Sequence, residues 1–108
     1  MDNKMFEELV SSLLSLFSSQ TVRIVLYGSV ARGTADSESD IDIALFMNGR
    51  LTSEQEDQLS DLVVEMNLKY NKVFSVVDID QSTYLKWKNI APFYQNVDRE
   101  GIVLWKAA

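Results

Sequence analysis

Apolar residues recur at steps of three and four through residues 4–18, where Phe6, Leu9, Val10, Leu13, Leu14 and Phe17 fall on one stripe. That spacing predicts an amphipathic helix with Asp2 or Asn3 as its candidate cap. The period then changes. "TVRIVLYG", residues 21–28, is rich in β-branched residues and apolar on both faces, the composition of a central strand ending at Gly28. After the polar stretch "GSVARGTADSES", alternation sets in with "DIDIALF". Ile41, Ile43 and Leu45 alternate there with Asp40, Asp42, Ala44 and Phe46, which predicts a second strand whose two faces differ sharply at its N-terminal end. "NGR" at 48–50 signals a turn, and Thr52 with Gln55, or Ser53 with Glu56, fits a capping box. The helix it opens has Leu59, Leu62, Val63, Met66 and Tyr70 as its core stripe. "KVFSVVDI", 72–79, predicts a third strand. A loop or short helix follows, then a helix with Pro92 in its first turn and Gly101 at its stop, and a short strand over 102–105. The pattern as a whole predicts an α+β fold, a small mixed sheet of three to four strands flanked by helices.

Composition narrows what this fold can carry. The chain has 108 residues, 46% of them hydrophobic, which suits a single domain over 1–108. It contains no cysteine and no histidine, so disulfides, thiolate nucleophiles, thiolate zinc sites and imidazole proton transfer are all excluded. A metal bound here is a hard, oxygen-loving one. The net charge is −6, and the segment from Asp36 to Asp61 holds eight acidic residues against Arg50 alone. Direct nucleic-acid binding, which depends on clustered Lys and Arg, is therefore not expected. No stretch reaches the roughly 20 apolar residues of a membrane span, and "MDNKMFEELV" lacks the layout of a signal peptide. The expected location is cytoplasmic.

The acidic start of the second strand is the candidate chemistry. Side chains two apart on a strand share a face, which puts Asp40 and Asp42 about 6.5–7 Å apart along it. Two carboxylates so placed can share a divalent ion, and magnesium is usually held by one or two carboxylates plus substrate phosphates. A solvated strand edge or turn cap is the plainer reading of such a pair. Gly28-Ser29 ends the preceding strand, where a glycine allows close backbone approach and the N–H groups and Ser29 hydroxyl can meet a phosphate. Most Gly-Ser pairs are merely turns. The two features carry weight together.

Gly28-Ser29, ten intervening residues and Asp40-Ile41-Asp42 resemble the signature of the polymerase-β-type nucleotidyltransferases. The wider stretch "YGSVARGTADSESDIDIALF" is similar to their minimal branch, as is the late "REGIVLW". The resemblance implies transfer of a nucleoside monophosphate, usually AMP from ATP, with Asp40 and Asp42 holding Mg2+ and Gly28 and Ser29 gripping the triphosphate. Arg32 either touches phosphate or pairs with Asp36 or Glu38. A third carboxylate from the next strand normally completes the metal site and acts on the acceptor hydroxyl. In relatives that strand often reads Val-Asp-Leu-Val-Asp-Leu; laid on "FSVVDI", Ser75 takes the first aspartate's place and Asp78 the second. Asp78 is the candidate third catalytic and metal-binding residue, provided that register or a bulge brings it to the face of Ser75.

The resemblance also implies a partner. Minimal members pair with a small helical protein, often an RNase toxin, which they neutralise as antitoxins by attaching AMP or by binding, so a hetero-oligomer is expected. Tyr84, Trp87, Phe93 and Tyr94 are candidates for that docking surface or for the core. Two classes stay open: an ATP- and Mg2+-dependent adenylyltransferase modifying a partner protein, and a nucleotide-binding antitoxin that acts by binding alone. A small-molecule transferase is disfavoured, because the chain has nothing from which to build an acceptor pocket.

Overall fold

The computed structural model describes residues 3–108. Helix α1 (Asn3–Phe17) buries Met5, Phe6, Leu9, Leu13 and Phe17; Met5 joins the predicted stripe, while Val10 and Leu14 are only partly buried. Asn3 is already inside the helix, and Asp2, the other candidate cap, lies outside the described residues. Strand β1 (Thr21–Tyr27) follows, and Ile24, Val25 and Leu26 are all buried because both faces of the strand are covered. A single helical segment, α2 (Gly28–Arg32), leads out of it and is stopped by Gly33 at φ 76°, whose N–H donates to the carbonyls of Ser29 and Val30. Strand β2 spans Ile41–Met47.

Of the two possible capping boxes the structure forms the first. Thr52 Oγ1 accepts from the Gln55 N–H while Gln55 Oε1 accepts from the Thr52 N–H, which opens α3 (Ser53–Tyr70). Leu59, Leu62 and Met66 form its buried stripe. Strand β3 (Phe74–Asp80) begins two residues later than the composition predicts. Asn71, in the left-handed region, and Lys72, whose N–H donates to the Asn67 carbonyl, are used in ending α3. The segment expected as loop or short helix is α4 (Gln81–Trp87), capped by the Asp80 side chain. Pro92 opens α5 (Pro92–Glu100), and β4 runs Ile102–Lys106.

The sheet order is β3-β2-β1-β4. β1 runs antiparallel to both β2 and β4, and β3 parallel to β2, the parallel step requiring the long crossover that α3 supplies. Strand alternation sorts the core into two layers. Ile24, Leu26, Ile43 and Leu45 pack with α1 and α3 on one face, whereas Val25, Ala44, Phe46 and Ile79 pack with Tyr84 of α4 and Val97 of α5 on the other. Arg23 is carried into this second layer, its guanidinium 3.9 Å from the Phe46 ring centroid and its Nη2 3.1 Å from Asp98. Of the four aromatics weighed for docking, Tyr84 is buried and Tyr94 stacks edge-on against it, while Trp87 and Phe93 keep 43% and 40% of their surface exposed.

Candidate active site

The corner where β1 ends and β2 begins brings Gly28 against Asp42, with Asp40 and Arg32 near by. Tyr27 pairs directly with Asp42 across the antiparallel ladder, so the residue after Tyr27 and the side chain of Asp42 are forced into contact. Gly28 accepts this on two counts. Its φ of +76° lies in the left-handed region, and the Asp42 carboxylate occupies the space a Cβ would need, so only glycine fits without strain. Asp40 stands one residue before β2, exposed, and alternation turns it to the same side as Asp42.

Negative charge is crowded here. Burial, and then the Asp40 charge, push the Asp42 carboxyl above its usual range, with Arg32 pulling it partly back. Burial and the Asp42 charge likewise raise the Tyr27 hydroxyl. Two oxygen-donor carboxylates that repel one another, one of them partly desolvated, fit a hard divalent cation, whose charge reverses the penalty.

Arg32 does not pair with Asp36 or Glu38. Its Nη1 lies 3.0 Å from Glu100 Oε2 in the last turn of α5, while Asp36 Oδ1 accepts from the Glu38 N–H at 2.9 Å and from Ser39 Oγ at 3.2 Å. The loop acid is used to shape the loop. Arg32 nonetheless remains near enough to Asp42 to lower its pKa.

Asp78 is not brought to this corner. In the parallel ladder Asp42 is paired with Ser75, and Asp78 with Leu45; the Leu45 side chain is buried in the α1–α3 layer. Neighbours in a ladder share a face, so Asp78 is turned to the opposite side of the sheet, three residues and about 10 Å further along the strand. No bulge interrupts the β2–β3 pairing to rescue it. Asp80 accepts from the Ser82 N–H and hydroxyl as the cap of α4. Among the described residues no three carboxylates gather to hold a metal.

Two neighbours of the site escaped the sequence. Tyr27 had only its place before the glycine as a signal, since the long connection from β1 to β2 leaves their register open. Glu100 had none, because only the tertiary fold brings α5 to Arg32.

A mixed four-stranded sheet that sets a Gly-Ser turn against a paired-aspartate strand start defines a phosphoryl-transfer class of nucleotide-handling protein. Residues 12–107 match the family described as Polymerase beta, Nucleotidyltransferase. The chain is 33% identical over 104 residues to "Putative protein adenylyltransferase MJ0604" of Methanocaldococcus jannaschii, covering 96% of this chain and 98% of that one. A second protein of that organism, "Putative protein adenylyltransferase MJ0141", is 24% identical over 74 residues, covering 68% of this chain and 75% of the other. The chain belongs to the polymerase-β nucleotidyltransferase family. Its fold is also that of solved toxin–antitoxin proteins. One, a complex with AMP-PNP, superposes at TM-score 0.68 with 21% identity, over 99% of this chain and 75% of the other. Another, tri-AMPylated Shewanella oneidensis HEPN toxin with MNT antitoxin, superposes at 0.65 with 19% identity, over 99% and 74%.

Proposed function

We propose that this protein transfers AMP from ATP to a partner protein in a Mg2+-dependent reaction, and that it acts as the antitoxin of a two-gene toxin–antitoxin pair. The observation that carries the reading is the packing of the Asp42 carboxylate against the Gly28 backbone, which supports a cation held by Asp42 beside a phosphate held by the Gly28-Ser29 turn. Asp40 and Asp42 are the residues that would hold Mg2+, which supplies neutralisation of the phosphate charge. The Gly28-Ser29 turn receives the triphosphate, and Arg32 lies beside it. In the transfer, an acceptor hydroxyl oxygen bonds to the α-phosphorus as the bridging bond to the β-phosphate breaks. Pyrophosphate departs with that electron pair, and the acceptor's proton passes to solvent.

Similarity to proteins named as adenylyltransferases, and to a structure in which an antitoxin accompanies an AMPylated toxin, supports a protein as the acceptor. The expected partner is a small helical protein, an RNase toxin by class, held in a hetero-oligomer. Residues 1–108 act as one minimal transferase domain, and its use of ATP fits a cytoplasmic location. No helix of the described residues is long and apolar enough to cross a membrane.

The test is incubation with α-labelled ATP, Mg2+ and the product of the neighbouring open reading frame. Label is expected on that partner and is expected to fall at least about 100-fold with Asp42→Asn, the order lost when one charge-stabilising group is removed. Transfer at the parent rate in that variant would overturn the reading. A second reading, a nucleotide-binding antitoxin that works by binding alone, is favoured by Ser75 standing beside Asp42. A stable complex without label would select it.

A further inference from the structure

We propose that Ser75 occupies the place of the third metal-site carboxylate, so that the corner takes a single divalent cation with its nucleotide and offers the acceptor hydroxyl no base from β3. This rests on the reading of the corner as a nucleotide site. The register is the evidence: in an uninterrupted parallel ladder Ser75 is the immediate neighbour of Asp42, on the same face and about one strand spacing, 4.7–4.9 Å, away. No other position on β3 is as close to Asp42 on that face. A serine there offers a neutral hydroxyl, which neither binds a second hard cation as a carboxylate does nor takes a proton from an acceptor.

Of the other acids near this end of the fold, one on β3 is turned to the opposite face and several hold other groups. Asp78 pairs with Leu45 and is turned to the other face. Asp80 caps α4, and Asp36 holds its own loop. Glu100 is bound by Arg32, and Asp98 by Arg23 and the Tyr84 hydroxyl. The transfer step is unchanged in its bonds: acceptor oxygen to α-phosphorus forms, α-phosphorus to bridging oxygen breaks, and pyrophosphate leaves with the electron pair. The acceptor's proton must go to water, which makes the step depend on the acidity of the acceptor itself.

Counting cations tests this without any reference to turnover. The full chain, in excess over a non-hydrolysable α,β-methylene ATP analogue, is titrated with Mn2+ and free Mn2+ is read by electron paramagnetic resonance. One tightly held Mn2+ per bound analogue is expected for the parent and two for Ser75→Asp, with Asp78→Asn remaining at one. Two ions in the parent overturn the proposal, and that count stands whether or not any variant folds. A Ser75→Asp protein that keeps its circular dichroism spectrum and binds the analogue but still holds one ion overturns it as well. Failure of the parent to bind the analogue at all removes the nucleotide-site reading, and the proposal with it.

Discussion

Gly28 and Asp42 are each legible in the sequence as separate signals, a strand-ending glycine and an acid on an alternating strand. Their contact is a property of the Tyr27–Asp42 ladder pair. That contact has a thermodynamic signature. Because burial and Asp40 raise the Asp42 pKa in the folded protein, Asp42 contributes stability that is complete below the unfolded carboxylate's pKa of about 3.9 and is lost as pH rises through the folded value. At neutral pH without divalent ions the ionised group therefore works against folding. Asp42→Asn is expected to melt at a higher temperature than the parent at pH 7 in EDTA, and the gap to close as the pH is lowered below about 4. A parent that melts higher than the variant at pH 7 in EDTA would contradict the charge crowding. The cation-binding role proposed for Asp42 and its contribution to stability thus pull in opposite directions at one side chain.

At the level of elements, composition found β1, alternation found β2, and steps of three and four found the stripes of α1 and α3, because those patterns depend only on near neighbours. The stagger between β2 and β3 was not, since a parallel pair is joined through a crossover helix and its register is set by tertiary packing. Period two correctly places Asp78 opposite Ser75. Only the ladder decides that Ser75 is the one beside Asp42. The end of β3 also serves the helix that follows it, because Asp80 caps α4, a role that its place in an acidic strand end does not signal. Asp78→Asn is expected to leave stability within about 0.5 kcal/mol and AMP transfer at the parent rate, as for an ordinary surface change. Asp80→Ala, by contrast, is expected to cost about 1 kcal/mol through the lost cap. Chemical denaturation and the labelled-transfer assay separate the two. A transfer defect in Asp78→Asn would show that the ladder differs in the working protein.

Over the whole molecule, two apolar layers of unequal size clasp one sheet, and the candidate site sits at the end where β1, β2 and β3 expose polar side chains. The helix expected around Pro92 does more than cover the sheet. Phe93 packs edge-on against Tyr27 at 5.6 Å, and Glu100 engages Arg32, so α5 braces the site from both of its ends. Such a frame should respond to its ligand as a unit. With Mg2+ and the α,β-methylene ATP analogue at 100 times its dissociation constant, mass action adds about 2.7 kcal/mol to folding, read as a rise in Tm, and EDTA is expected to cancel it. A rise that survives EDTA would separate nucleotide binding from the cation.

The sheet order has a consequence for how the molecule comes into being. β1 collects its neighbours from very different distances along the chain, Leu26 meeting Ile43 on one side and Ile102 on the other. Closing a chain segment costs more entropy as the segment lengthens, so the β1–β2 half is the easier one to join. During synthesis on the ribosome, β1, which leads into Gly28, and β2, which carries Asp42, are available to each other long before β4 emerges. The candidate corner is therefore born early, beside a sheet edge that stays open until the last strand arrives.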